Sequence, residues 1–406
     1  LQIARGKLAE ALLRITRPSL RLEQPLAPPL IGRGQVQQQC ADDLGAGRSL
    51  TISGLAGIGK TSLGAAVAQQ WPSGAVFWHT FRPGLNDDLS GVVFALAHFL
   101  HRYGCSSLWL QLVAGEGVLG GMEQIAGFLR DDLACAAELP ALLCFDEVDL
   151  LHTESNQPRH GVHKQVLELL ESLRTVAPLL MIGQRPLIDT DAYTELEPLT
   201  LADTELFLQR AALAEPVNAR QVFRQTEGNP RFMELYVALH KSAGPDEALD
   251  LGHSPSLKPL FHRLWKRLDK DEKRVLATLS IFRSIAPIDA WQGQVGLEKL
   301  HYRNLLKGDS HGGVTLLPLF RDMVYAQLPL EQRRQLHEEG ALIRVQRGQY
   351  TEAAHHLWQA EQFETAVNLW YDNATIEIEQ GKAGAAYGLF SGPRPSGLPE
   401  PAARRL

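Results

Sequence analysis

The chain has 406 residues, 45% of them hydrophobic and 21% charged, an ordinary globular balance in a length that calls for two to four units at about 150 residues per domain. Forty Lys and Arg against 46 Asp and Glu give a net charge of −6, which argues against a protein whose main task is neutralising nucleic-acid backbones. No apolar run approaches the ~18 residues of a membrane span, and no signal peptide is legible. Cys40, Cys105, Cys135 and Cys144 lie far apart, without metal-ligand spacing, and read as reduced structural thiols of a cytoplasmic protein.

Residues 1–27 read as a short amphipathic helix (Ile3, Leu8, Leu12, Leu13) followed by a Pro-rich linker. Over 28–199, short apolar runs alternate with longer helical stretches, the pattern of an α/β parallel sheet. Strands are expected over 49–53, 75–79, 141–145 and 179–182, and helices over 61–70, 89–102, 122–133 and 163–175. From 200 to 253 the pattern is helical, over 201–213, 219–226 and 231–241. Residues 254–330 give two helices, a Gly-marked turn over 308–313 and an apolar run over 314–319, the order of a winged helix with a wing hairpin. From 331 to 406 paired helices are expected. Tyr350-x-x-Ala353 and Phe363-x-x-Ala366 share a bulky-to-small spacing, and Tyr350 and Ala383 stand 33 apart, close to the ~34-residue tetratricopeptide period. The last stretch reads as a repeat begun and not finished. With a first residue of Leu rather than Met, that points to a piece of a longer protein.

Gly54-x-x-x-x-Gly59-Lys60-Thr61 satisfies every defined position of the Walker A pattern. Gly54, Gly57 and Gly59 let backbone N–H groups of the loop, Ile58 and Ser62 among its neighbours, converge on a pyrophosphate at a helix N-terminus. Lys60 can bridge the β- and γ-phosphates, and the Thr61 hydroxyl can bind Mg²⁺. A strand-like run, Ala141 to Phe145, ends in Asp146 and Glu147. These are candidates for the second Mg²⁺ anchor and for a general base that polarises the attacking water. The strand over 179–182 ends in Gly183-Gln184-Arg185, where Arg185 can sense a γ-phosphate or stand as a solvated loop residue.

With these motifs in place the chain resembles the signal-transduction ATPases with numerous domains (STAND). That NB-ARC-like class includes plant disease-resistance proteins, apoptosome scaffolds and maltose-type transcription activators. The resemblance spans roughly residues 28–390. It is carried by Leu30-Ile-Gly32-Arg33, Gly54–Thr61, Val76-Phe-Trp78, Leu142–Glu147, Met181–Arg185, Leu196–Leu199, Gly228-Asn229-Pro230 and Leu316–Asp322. It implies a three-layer P-loop NTPase of the ASCE type, followed by a helical lid, a winged helix and tetratricopeptide-like repeats. It further implies that Gly32 and Arg33 line the adenine side, that Arg185 is the sensor arginine, and that Pro230 packs on the nucleotide. The cofactors it implies are ATP or ADP with Mg²⁺.

Two positions depart from the class pattern. Gly34-Gln35 follow Gly32-Arg33 where Glu is usual, and Leu317 stands where many relatives place a histidine against the β-phosphate of ADP; His311 falls in the wing turn instead. The expected activity is a nucleotide-exchange switch with slow Mg-dependent hydrolysis at most. Its repeats are expected to sense a protein or small-molecule inducer, with homo-oligomers formed on activation and no direct nucleic-acid or membrane contact. The same core also suits a transcription regulator whose DNA-binding domain lies elsewhere, or a non-hydrolysing ADP scaffold. His160 and His163 lack carboxylate or cysteine partners at ligand spacing and read as a solvated loop.

Overall fold

The computed structural model describes residues 24–135, 140–151, 160–213, 217–241, 257–303, 305–308, 313–316, 318–392, 395 and 398–405. The leading helix expected within 1–23, His311 and Leu317 lie outside the described residues.

Five strands form one sheet in the order β2-β3-β4-β1-β5. They are β1 (Leu50–Gly54), β2 (Val76–Thr80), β3 (Leu142–Asp146), β4 (Leu179–Ile182) and β5 (Ala192–Leu196). Every neighbouring pair runs parallel, with Leu50 opposite Leu180 and Ala192, and Thr80 opposite Asp146. Because side chains alternate along a strand, apolar residues at consecutive positions fill both faces. Phe77, Leu143, Phe145, Leu179 and Met181 enter one core, while Trp78, Leu142, Cys144, Leu180 and Ile182 enter the other. The first face is covered by α3 (Leu89–Arg102), α4 (Ser107–Ala114), α5 (Met122–Cys135) and α6 (His160–Leu173), the second by α1 (Gly34–Gly45) and α2 (Lys60–Gln69). The result is the three-layer α/β sandwich expected.

Two expectations need correction. The edge strand β5 was not foreseen, because Ala-Tyr-Thr-Glu-Leu has its polar residues on a face that stays partly in water and offers no apolar run. The stretch holding His160 and His163 is not a solvated loop: it opens α6, and His163 is fully buried with its Nε2 2.7 Å from Asp87 Oδ2. The 3.6-residue period that puts His163 in register with Val166 and Leu170 carries it into the core, where the Asp87 carboxylate satisfies the ring.

Beyond Leu199 the described chain is helical apart from one small hairpin. α7 (Leu201–Arg210) opens with a Thr200/Asp203 capping box, α8 (Ala219–Thr226) with Asn218, and α9 (Pro230–His240) with Asn229. The expected helix over 201–213 therefore stops at Arg210. α10 (Leu257–Arg267) and α11 (Lys270–Ser280), the latter behind an Asp269/Glu272 capping box, precede α12 (Leu297–Tyr302). β6 (Lys307–Gly308) and β7 (Val314–Thr315) then pair antiparallel, and Ala286 bridges Val314. This unit and α13 (Pro318–Gln327) share a core of Phe261, Leu276, Phe282, Phe320 and Val324.

The tail stacks α14 (Leu330–Gln346), α15 (Tyr350–Gln359), α16 (Phe363–Asp372), α17 (Ala374–Glu379) and α18 (Ala383–Phe390), with α19 (Glu400–Ala403) after them. Small residues set their approach: Ala354 and Ala366 are fully buried between helices. The stack folds back on the sandwich, where a side chain at Gly381 would strike Phe94 and one at Gly384 would strike Asp88. Arg283 reaches the carbonyl of Pro83.

Candidate functional site

The site lies at the carboxyl end of β1 and β3, the edge to which an open parallel sheet brings its loops. The loop from Gly54 to Gly59 joins β1 to α2 and is shaped by left-handed backbone. Gly59, at φ +102, caps α2 with open space where a side chain would point. Only glycine adopts that conformation without strain, and the loop N–H groups turn with it toward the helix N-terminus. Ile58 is buried under the loop, whereas Leu55 at its crest is 67% exposed.

The Lys60 ammonium donates to the carbonyls of Gly54 and Leu55 at 2.9 and 3.0 Å. Burial lowers its pKa, against the raising pull of Glu147, Asp149 and Asp146. Thr61, one residue on, donates its hydroxyl to both Asp146 oxygens at 3.2 and 3.1 Å, across 85 residues of sequence. Ser62 follows within the first turn of α2. Asp146 is 3% exposed. Burial first and Glu147 second push its pKa up to about 7, with the Thr61 hydroxyl opposing. A buried carboxylate with a hydroxyl donor as its neighbour has the hard-oxygen chemistry of a Mg²⁺ anchor. Among the described residues no group of three His, Cys, Asp or Glu gathers elsewhere as a metal cage.

Glu147 takes φ 58 and ψ 35, a left-handed conformation that is costly for a residue with a side chain. Its amide donates to Asp146 Oδ1 at 3.0 Å. Burial raises its pKa, Asp149 adds to that, and Lys60 and Arg82 oppose it. Asp149 accepts from the Gln184 amide at 2.8 Å, which fixes the loop after β4 to the loop after β3. Arg185, the next residue, is exposed and has no hydrogen bond or ion pair with a described residue. The structure thus brings Lys60, Thr61, Asp146 and Glu147 together and leaves Arg185 at the rim.

Gly32 and Arg33 approach from the other side. Gly32, at φ +66, sits against the Asp203 carboxylate with no room for a side chain, and Arg33 Nη2 donates to the Glu197 carbonyl at 2.5 Å. Pro230 is the first residue of α9, and its neighbour Asn229 reaches the loop: Asn229 Nδ2 donates to the Ala56 carbonyl at 3.2 Å. Arg231 and Asp203 were not singled out in the sequence, and Asn229 entered only as part of Gly228-Asn229-Pro230. Thr200-x-x-Asp203 and Asn229-Pro230 are nevertheless readable helix-start signals.

Loop, anchor and sheet order define the class: this is the P-loop nucleoside triphosphatase fold. No protein-family model and no curated protein matches the chain. Among solved structures it is similar to a signal transduction ATPase with numerous domains (STAND) with a tetratricopeptide repeat sensor from Pyrococcus horikoshii. The TM-score is 0.66 at 16% identity, over 90% of this chain and 54% of that one. The chain therefore spans about half the length of that protein, and it has that protein's fold, sandwich and helical repeats included. Lower TM-scores relate it to a Walker-type ATPase of Pyrococcus abyssi (0.39, 12% identity, 75% of this chain and 99% of that one). The ORC1 protein of Aeropyrum pernix, solved in complex with DNA, is at a similar level (0.38, 12%, 77% and 95%).

Proposed function

We propose that the chain is an ATP/ADP-binding switch of the STAND kind. The observation that carries this is the Thr61 hydroxyl on both Asp146 oxygens beside Lys60, at the mouth of a loop of left-handed glycines. In this reading Gly54, Gly57, Ile58, Gly59, Lys60, Thr61 and Ser62 cradle the phosphates, and Gly32, Arg33 and Pro230 line the base. Thr61 and Asp146 hold Mg²⁺, which when bound neutralises charge on the β- and γ-phosphate oxygens. Lys60 gives up its two loop carbonyls for phosphate oxygens. Glu147 orients water and accepts its proton, and hydrolysis is slow. Arg185 reaches the γ-phosphate only after its loop moves, so it reports the triphosphate state rather than holding it.

The division of labour follows the chain. Residues 1–27 lead in, 28–199 bind nucleotide, 200–253 form the lid, 254–330 form an NB-ARC-like winged helix, and 331–406 form the sensing repeats. The β6–β7 hairpin behind α11 and α12 supports the winged helix. The repeats fit a protein or small-molecule inducer, nucleotide exchange fits homo-oligomer formation, and four free cysteines fit a cytoplasmic setting. No described helix is long and apolar enough to cross a membrane.

The test is calorimetric. Lys60→Ala is expected to abolish ATP and ADP binding, and wild-type affinity in that variant would sink the assignment. Phosphate release by the wild type, lost in Glu147→Gln, is the expected sign of hydrolysis. No release above background by either would leave a nucleotide-holding scaffold.

A further inference from the structure

Among the described residues the helical region meets the phosphate loop at a polar contact. Asn229 is 8% exposed and uses both ends of its amide. Its Oδ1 accepts from the Arg231 amide at 3.0 Å, capping α9, and its Nδ2 donates to the Ala56 carbonyl at 3.2 Å, 173 residues away in sequence. The orientation is fixed, because a flipped amide would set oxygen against the Ala56 carbonyl and NH₂ against the Arg231 N–H. A second contact lies beside it. A Cβ built on Gly57 would stand 2.6 Å from Arg231 Cβ and 3.1 Å from Asn229 Oδ1, so the apex of the loop and the first turn of α9 touch without a gap. Leu199 and Gly228 clamp the other side of the same turn, the Leu199 amide donating to the Gly228 carbonyl at 2.9 Å. Ala56 and Gly57 are the middle of the segment that must wrap a pyrophosphate, so whatever holds their peptide also sets the loop around the ligand.

We propose that Asn229 is a positioning residue for the nucleotide: its amide ties the cap of α9 to the apex of the phosphate loop and holds α9 over the bound ligand. This rests on the nucleotide-switch reading above and adds the joint through which loop and lid move together. Loss of the tie frees α9 to swing away, and its main effect falls on ligand escape.

Asn229→Ser and Asn229→Asp separate the tie from the cap. Both keep an oxygen that caps α9, and neither keeps the amide donor. With the full 406-residue chain and a fluorescent ADP analogue, Asn229→Ser is expected to retain the nucleotide-free melting temperature. Its affinity should fall about tenfold, which is ~1.4 kcal/mol, chiefly through faster dissociation. Should the Ser variant melt early, Asn229→Asp in high salt carries the same expectation. Unchanged affinity and dissociation in a folded variant overturn the proposal. So does a loss confined to Asn229→Asp that disappears in high salt, because that is charge repulsion and not a broken tie. Lys60→Ala in parallel keeps the two readings apart: wild-type binding there removes the nucleotide site itself, whereas normal Asn229 variants beside a dead Lys60→Ala remove only the joint.

Discussion

Two buried clusters of charge in this protein are built in opposite ways. At the phosphate site Asp146 and Glu147 sit together at the end of β3, and burial pushes both pKa values up. The neighbouring cation, Lys60, spends its hydrogen bonds on loop carbonyls. In the repeats, Glu352 receives the Lys382 ammonium at 2.9 Å with Arg344 close by, and its pKa is lowered although burial alone would raise it. Glu377 accepts from the amides of Tyr350 and Thr351 at 3.2 and 3.1 Å and from the Thr351 hydroxyl. The repeat cluster holds the Lys382 ammonium in contact with Glu352, although burial and Glu352 still raise the pKa of Glu377. The phosphate-site carboxylates instead lie near an ammonium whose hydrogen bonds go to backbone carbonyls.

The largest effect should come from breaking the repeat cluster. Lys382→Met leaves two carboxylates buried without their ammonium, and is expected to cost about 3–5 kcal/mol, seen as a lower denaturation midpoint. A loss under ~1 kcal/mol would mean that the network is solvated and the contrast false. A second effect comes from the histidines beside that cluster. Burial holds His337 at about 4 and His355 at about 3, and lowers His356 well below its ordinary value. His337 Nδ1 faces His356 Nδ1 at 2.9 Å, while its Nε2 meets the Tyr325 hydroxyl at 3.0 Å.

Since the unfolded chain binds these protons first, stability is full above the ordinary histidine pKa of about 6.5 and is lost as pH falls from there toward 4. Melting temperature should drop between pH 7 and 5, and His337→Gln should flatten that slope; an unchanged slope would place the titration elsewhere. The smallest effect should come from the phosphate-site cluster. Asp146→Asn relieves a buried charge, so the nucleotide-free protein should gain about 1–2 kcal/mol while Mg-dependent ATP affinity falls. Destabilisation there would show that Asp146 is structural.

Legibility in the sequence followed how local the signal was. Walker A, the apolar run before Asp146 and the bulky-to-small spacing at Tyr350 and Phe363 each lie within a few residues, and each lands on the expected kind of element. The Leu179 strand was legible for the same reason. The edge strand from Ala192 was not, because an edge with one wetted face needs no apolar run. His163 looked like a loop histidine because its partner Asp87 lies 76 residues away. For Arg185 the sequence left a γ-phosphate sensor and a solvated loop residue both open, and the residue is exposed in the loop after β4.

By itself the sequence determined the phosphate loop, the two carboxylates at the end of β3, and the alternation that makes a two-faced parallel sheet. These depend on backbone freedom at glycine and on side-chain period, which are properties of a few neighbouring residues. Tertiary structure decided that Thr61 meets Asp146, that Asn229 grips Ala56, and that the repeats return to Phe94 of α3 and to Asp88, which caps it. Those contacts join segments 85, 173 and nearly 300 residues apart. No spacing rule reaches that far; it is the burial of apolar faces between layers that chooses which distant polar groups end up side by side.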